Sequence, residues 1–416
     1  MKLFRTLIPL DEALKTVLSY AKRTEIEEIR FEDVLNRVLA EDVVSPIDSP
    51  PFDRAAMDGY AIRGEDSFGA APRNPVFLKI NRRVEEKENL IEIGAGECVP
   101  IATGMPVPKG SNAVVMLEYT KERGDTLEIF KPVTPGKNVS FRGEDVKKGE
   151  AVLKAGKMLQ AHDIGMLASL FKITVKVYKR AKIGIISTGD ELIDPTVQLP
   201  EQKQEQRQRK IADANSYVLA ALTQKIAVSY RMGIVRDNYE DIKNALRSPL
   251  EGDCDALLVS GGSSVGNRDF LADAVEDLGK LIFHGVAIRP GEPVGFGVIN
   301  SKPVFVLPGY PVATISAFEL LVRPFLYAMH GVPVKEERRK IFAVASKKIP
   351  SAVGRTDFVR VKLFRTEGGY HVEPLRVSGS GILSSMTKSD GFVVIAENKE
   401  GVAEGEQVAV TEYFAL

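Results

Sequence analysis

Residues 257 to 270 read Leu257-Leu-Val-Ser-Gly-Gly-Ser-Ser-Val-Gly-Asn-Arg-Asp-Phe270. An apolar run from Ala256 to Val259 breaks into Ser260, Gly261, Gly262, Ser263 and Ser264. Beyond Asp269, the residues Leu271, Ala274, Val275 and Leu278 recur at helical spacing. The pattern predicts a buried strand, a glycine turn and a helix. Such a turn points free backbone N–H groups at an anion. Gly261 and Gly262 let the backbone approach closely, and the serine hydroxyls add donors. A turn that serves packing alone carries the same text, so the surrounding sequence has to decide.

Outward from this stretch the alternation repeats. Lys182-Ile-Gly-Ile-Ile-Ser-Thr-Gly-Asp-Glu-Leu192 is another apolar run ending in small residues, now with Asp190 and Glu191. Helices are predicted over 214–224, 238–247, 270–278 and Pro311 to Met329, and strands over 226–235, 256–259 and 303–309. Strands alternating with helices imply a parallel sheet covered on both faces, whose ligands gather outside the carboxyl ends of the strands. Four loops fall at that edge: Ser187 to Glu191, Arg236-Asp237, Ser260 to Ser264 and Pro308 to Pro311.

Nearer the amino terminus, Asp11 is expected to cap a helix carrying Ala13, Leu14, Val17 and Leu18. Val34, Leu35, Val38 and Leu39 predict a second helix ending near Asp42. Ser45 to Arg63 opens with three prolines, which exclude a helix before Phe52 and leave a stiff loop. That loop sets Asp53, Arg54, Met57, Asp58 and Tyr60 close together. Residues 74–131 read as a small β domain with an exposed Thr103-Gly104 turn, and Phe141-Arg-Gly-Glu-Asp145 is another loop. A helix over Leu159 to Phe171 and a strand over Ile173 to Tyr178 follow. From about residue 335, five short strands suggest a small barrel or sandwich. The fold class is α/β plus β, multidomain.

Composition narrows the function. Lysine plus arginine equals aspartate plus glutamate at 56 each, so no global field recruits nucleic acid or an acidic membrane. Two cysteines exclude a disulfide framework, and the four histidines never fall at metal-ligand spacing. No signal-type core or apolar run of spanning length is apparent, so a soluble, cytoplasmic protein is expected. Residues 196–210 are glutamine-rich and highly charged, and read as a solvated insertion. The sheet edge joins anion cradles to four carboxylates, Asp190, Glu191, Asp237 and Asp269. Bare carboxylates beside a phosphate repel it, and a cation such as Mg²⁺ resolves the conflict. Individually these acids have ordinary explanations, such as a helix cap for Asp237 or a closed turn for Asp190.

Several blocks together resemble the MoeA family of molybdopterin molybdenumtransferases, which includes the E domain of gephyrin. They are Ala56-Met-Asp-Gly-Tyr-Ala61, Ile101-Ala-Thr-Gly-Met-Pro106, Arg142-Gly-Glu-Asp145, Ser187-Thr-Gly-Asp-Glu-Leu192, Asp213-Ala-Asn215 and Gly233-Ile-Val-Arg-Asp237. Ser260 to Gly266, Leu307-Pro-Gly-Tyr-Pro311, Gly354-Arg-Thr-Asp-Phe358 and Gly379-Ser-Gly381 complete the set. The resemblance implies a central molybdopterin-binding, Rossmann-like domain (1–26 with 179–332) and a linker domain (27–48 with 147–178). A β-rich domain (49–146) and a carboxyl-terminal barrel (335–416) are implied beside them. It further implies a homodimer, with a molybdopterin adenylyltransferase as a candidate partner. The expected reaction transfers molybdate or tungstate to adenylylated molybdopterin, with Mg²⁺ required and AMP released. Carried over by position, Asp58, Thr103, Asp145, Glu191 and Asp269 are the catalytic set, and Asp190, Glu191, Asp237 and Asp269 the metal set. Ser260, Gly261, Gly262, Ser264, Arg289, Pro293, Pro308, Gly309, Arg355 and Ser380 are the substrate-binding set.

The chain departs from the family's pattern at Arg289-Pro-Gly-Glu-Pro293, where Glu292 replaces a cation, and at Gly285 and Ser140, where cations are usual. These changes lower the positive field of the implied cleft and leave molybdenum and tungsten both open. Two alternatives stand beside the transferase: a non-catalytic pterin-nucleotide-binding or scaffold member, and the adenylylating enzyme that shares the α/β fold. The β domains speak against the latter.

Overall fold

The computed structural model describes residues 7–82, 92–197, 210–261, 269–333, 340–375 and 379–413. Its central element is a six-stranded sheet. Strands Val228–Val235, Lys182–Thr188, Ala256–Ser260 and Lys302–Leu307 run parallel in that spatial order. Gly295–Ile299 and Lys280–His284 then extend the sheet antiparallel. The sheet is therefore mixed rather than wholly parallel. Sequence reading missed both antiparallel strands: Lys280–His284 is a short apolar run set directly after a helix, and Gly295 and Gly297 erase the alternation of side chains in Gly295–Ile299. Gly297 is needed there: a Cβ would lie 2.4 Å from Val275 of the helix Phe270–Leu278.

One face of the sheet buries Phe296, Phe305, Phe318 and Phe325, with Ala13 and Val17 of the helix Leu10–Ser19. Phe305 meets Phe296 and Phe325 edge-on, at 5.0 and 5.2 Å between ring centres. Each such ring is worth about 1.5–3 kcal/mol relative to exposure. The other face packs Ile242, Leu246 and Leu250 against Leu271 and Val275. The helical run Pro311–Met329 is long and apolar enough to cross a membrane, contrary to the expectation that no segment is, but 78% of it is buried in this core. Its middle, Phe318–Val322, widens to a π-turn, and Arg323 and Glu319 pair there inside the core.

Two expectations near the amino terminus fail. Asp11 does not cap: Pro9 precedes the helix, and Asp11 sits in its first turn, where a carboxylate complements the macrodipole. Residues 34–42 form no helix. Phe31–Asp33 is one 3₁₀ turn, and Asn36 then adopts a φ of 60°, which ends any helical path. Val34 and Leu39 still enter a core, with Leu159, Leu167 and Val177, through bridges of Val38 to Met158 and Leu39 to Val177. There the strand Ile26–Arg30 pairs with Thr174–Tyr178.

Residues 49–146 hold a second six-stranded sheet built on Gly59–Ile62, with Tyr60, Ile62, Cys98 and Leu127 in its core. In the carboxyl-terminal region, Thr356–Thr366 pairs with both Gly369–Pro374 and Gly391–Ile395. The ring closes through Lys340–Ala345 and Gln407–Glu412, which makes a barrel rather than a sandwich. Ile288–Arg289 of the central domain adds to the long barrel strand at Thr356-Asp357. Finally, Leu192–Ile193 and Ile211–Ala212 pair in parallel and close the stem of the glutamine-rich insertion. Residues 198–209 of that insertion lie outside the described set.

Candidate functional site

The described parts of the four loops, with Ser260 and Gly261 for the third, meet at the carboxyl edge of the central sheet. Asn215 lies on the helix Ala214–Gln224, which Asp213 caps through Ser216 N–H. Its amide donates to Ser260 Oγ at 2.7 Å and to the Gly309 carbonyl at 2.8 Å, tying two loops together. Ser187 Oγ donates to Asp213 at 2.8 Å. Gly261 N–H donates to the Leu307 carbonyl, with a φ of 144° and no room for a side chain: a Cβ would lie 2.1 Å from Thr188 Oγ1.

Asp190, Glu191 and Asp237 cluster at this edge. Asp237 N–H donates to Asp190 Oδ1 at 3.3 Å, and the Glu191 carboxylate folds back over Gly189. Burial first, and then the charges of Glu191 and Asp190, raise the Asp237 pKa above its ordinary value. Asp237 does not cap a helix, since Asn238 caps Tyr239–Glu251. Asp269 is the acid that caps, accepting from Ala272 N–H at 3.1 Å, and its other oxygen lies 3.5 Å from His284 Nε2. The metal set thus divides into a group of three carboxylates and one helix-capping acid with a histidine partner. Among the described residues no group of three or more His, Cys, Asp or Glu side chains has the spacing to hold a metal ion unaided.

A second cluster belongs to the β-rich domain. Asp58 Oδ1 accepts from Thr103 N–H at 2.7 Å and from Thr103 Oγ1 at 2.8 Å. These bonds, the backbone one first, hold its carboxyl below its ordinary pKa. Gly104 N–H donates to the Ala55 carbonyl and Ala55 N–H to that of Met105, which zips the two loops. Asp53 Oδ1 accepts from Arg142 N–H at 2.7 Å, and Asp145 N–H donates to the Ser49 carbonyl. The proline loop, the Thr103 turn and the Arg142–Asp145 loop therefore share one face, with Asp58, Thr103 and Asp145 on it.

The third feature is a cavity of about 940 Å³ between the central domain and the barrel. Arg289, Glu292, Pro293, Pro308 and Tyr310 line one side, and Lys348, Arg355, Asp357, Arg360 and Ser380 the other. Arg289 is bidentate on Asp357, with Nε to Oδ1 at 2.7 Å, and Ser351 Oγ gives Asp357 a third bond at 2.8 Å. Arg355 Nη1 donates to Glu292 Oε2 at 2.6 Å. The Ser380 carbonyl accepts from Val312 N–H, which pins Gly379-Ser-Gly381 to the start of the core helix.

Of the substrate-binding set, Arg289, Pro293, Pro308, Arg355 and Ser380 line this one cavity. Ser260, Gly261 and Gly309 lie at the adjoining sheet edge, and Gly262 and Ser264 lie outside the described residues. Sequence reading gave no role to Lys348, which lies in no motif, nor to Tyr310, although it lies within Leu307-Pro-Gly-Tyr-Pro311. Nor did it assign the bonds made by Asn215, Asp357 and His284, whose partners are distant in sequence.

Comparison with known proteins matches three successive regions of the chain. Residues 8–171 match the MoeA N-terminal region (domain I and II), and residues 343–413 the MoeA C-terminal region (domain IV). Residues 184–328 match a family described as "Probable molybdopterin binding domain". The chain is 43% identical to a Methanocaldococcus jannaschii protein provisionally named for molybdopterin biosynthesis, over 99% of both. It is 32% identical to the molybdopterin molybdenumtransferase of Haemophilus influenzae, over 98% of this chain and 99% of the relative. The crystal structure of the molybdopterin biosynthesis moeA protein of Pyrococcus horikoshii matches with a TM-score of 0.83 at 37% identity, covering 98% of this chain and 100% of that one.

Proposed function

The chain belongs to the MoeA family of molybdenum cofactor biosynthesis proteins, and from that premise we propose that it is a molybdopterin molybdenumtransferase. Its substrates are adenylylated molybdopterin and molybdate or tungstate, and AMP is released. The observation that carries the reading is the shared cavity, where guanidinium and hydroxyl groups from two domains face a space large enough for a pterin. Arg289, Arg355 and Lys348 supply positive charge for a tetrahedral oxyanion, and Ser380 a donor. The neighbouring Ser260-Gly261 turn, held by Asn215, receives the phosphates.

We place Mg²⁺ at the acidic group beside that turn, where substrate oxygens must complete a site that the protein carboxylates do not make by themselves. Asp237, half-buried with its pKa raised first by burial and then by the charges of Glu191 and Asp190, would hold the ion with Asp190, Glu191, substrate oxygens and waters. When bound there, Mg²⁺ would supply charge neutralisation for the phosphates. Asp269 holds the start of its helix and orients His284 toward the same edge. Asp58, kept ionised by Thr103, and Asp145 lie on the β-rich domain, and we place them in the cleft of the partner subunit of a cytoplasmic homodimer. A molybdopterin adenylyltransferase delivering the nucleotide is the expected partner.

A second reading, a pterin-nucleotide-binding member without turnover, is favoured by one observation: two of the cavity's guanidiniums, Arg289 and Arg355, already carry carboxylates. The adenylylating alternative finds no support, because the family match extends through both flanking regions. Incubation with adenylylated molybdopterin, Mg²⁺ and molybdate separates the readings. Release of one AMP per cofactor supports the transferase, tight nucleotide binding without AMP supports the second reading, and neither result would reject both.

A further inference from the structure

We infer that Glu292 is an internal competitor for the substrate oxyanion, and so a specificity-determining residue of this cavity. The inference rests on the function proposed above. The two guanidinium–carboxylate pairs in the cavity are of different kinds. Asp357 is 2% exposed, takes two bonds from Arg289 and a third from Ser351, and lies on a strand hydrogen-bonded to the central domain. Breaking that pair strands a buried charge, so it belongs to the framework.

The Arg355–Glu292 pair is a single bond between side chains 46% and 27% exposed. Glu292 follows Gly291, whose φ of 124° makes the turn that carries it into the cavity. Water can hydrate both partners if they separate, and exposed pairs of this kind contribute little stability. An entering oxyanion therefore takes the Arg355 fork from Glu292 without disturbing the barrel. The displaced carboxylate stays on the cavity wall and repels the guest. Repulsion scales with the guest's charge, so Glu292 penalises a dianion more than a monoanion of the same shape. The resident carboxylate thus sets the oxyanion concentration at which the cavity fills.

The test is calorimetric titration of the full-length wild-type, Glu292→Gln and Glu292→Asp proteins with molybdate, and with perrhenate as a tetrahedral monoanion. Glu292→Gln should bind molybdate about tenfold more tightly and perrhenate only about threefold more tightly, while Glu292→Asp, which keeps the charge, stays close to wild type. Structural damage does not produce a gain of affinity graded by guest charge. Molybdate affinity unchanged or weakened in Glu292→Gln, or an equal gain for both anions, overturns the inference. Wild-type protein that binds molybdate but releases no AMP counts against the proposed function alone, because the binding comparison is still read.

Discussion

Replacing Arg289 by alanine tests whether this guanidinium is part of the framework as well as of the cavity. Asp357 is buried, and Arg289 supplies two of its three described hydrogen bonds. Removing one partner of a buried ion pair costs about 3–5 kcal/mol. Arg289 itself is 49% exposed, so water can enter from its side and the lower end, about 3 kcal/mol, applies. The loss should be local, because Thr356 N–H donates to the Ala287 carbonyl at 2.8 Å in the same join between central domain and barrel. Amide hydrogen exchange is the assay: about 3 kcal/mol corresponds to a loss of protection of about a hundredfold over the strand Thr356–Thr366. The double variant Arg289→Ala with Asp357→Asn removes the stranded charge and should recover most of that protection. Protection within about threefold of wild type in the single variant, or no recovery in the double, would refute the reasoning.

Four further outcomes are expected. Asp237→Asn should raise the melting temperature of the metal-free protein at pH 7 and abolish any stabilisation by Mg²⁺. The sign follows from the raised pKa of Asp237: the folded state binds its proton more tightly than the unfolded chain, so its destabilising effect grows as pH rises through that folded pKa. Wild-type stabilisation by Mg²⁺, read in melts with and without the ion, should accordingly shrink as pH falls toward the carboxylate range. Gly261→Ala should cost at least about 2 kcal/mol in denaturant unfolding, because a Cβ would meet Thr188 Oγ1 at 2.1 Å in a left-handed backbone conformation. Asp58→Ala should lower AMP release by about a hundredfold while leaving circular dichroism unchanged, since Thr103 loses the acceptor that orders its turn; near-normal turnover would remove Asp58 from the site.

How far the sequence could be read depended on whether a residue's partners were near or far along the chain. The alternation of apolar runs and helical periods marked the parallel strands and the helices Ala214–Gln224 and Phe270–Leu278 to the residue or nearly so. It failed where glycine has no side chain to alternate, in Gly295–Ile299, and where one left-handed asparagine overrides helical spacing, at Asn36. Arg289, Arg355 and Ser380, named from the resemblance, line one cavity, but the resemblance did not give the carboxylates that pair with the two arginines. Asp357 comes 68 positions after Arg289, and only the pairing of Ile288–Arg289 with the barrel brings them together. The ordinary alternative of a helix cap falls to Asp269 rather than Asp237. Asn238 caps one helix by accepting from Asp241 N–H, and Asp269 caps the other by accepting from Ala272 N–H.

The short parallel stem of Leu192–Ile193 and Ile211–Ala212 has a consequence for engineering. Asp194 anchors its base, bonded by Tyr217 Oη at 3.0 Å and by Arg231 Nη2 at 2.8 Å, so the two ends of the excursion are fixed independently of what joins them. Closing a flexible loop costs only about 0.6 kcal/mol more for each doubling of its length. The stem is therefore a natural graft point, where a tag or a reporter peptide can replace the native residues while Glu191, next to it in sequence, keeps its place.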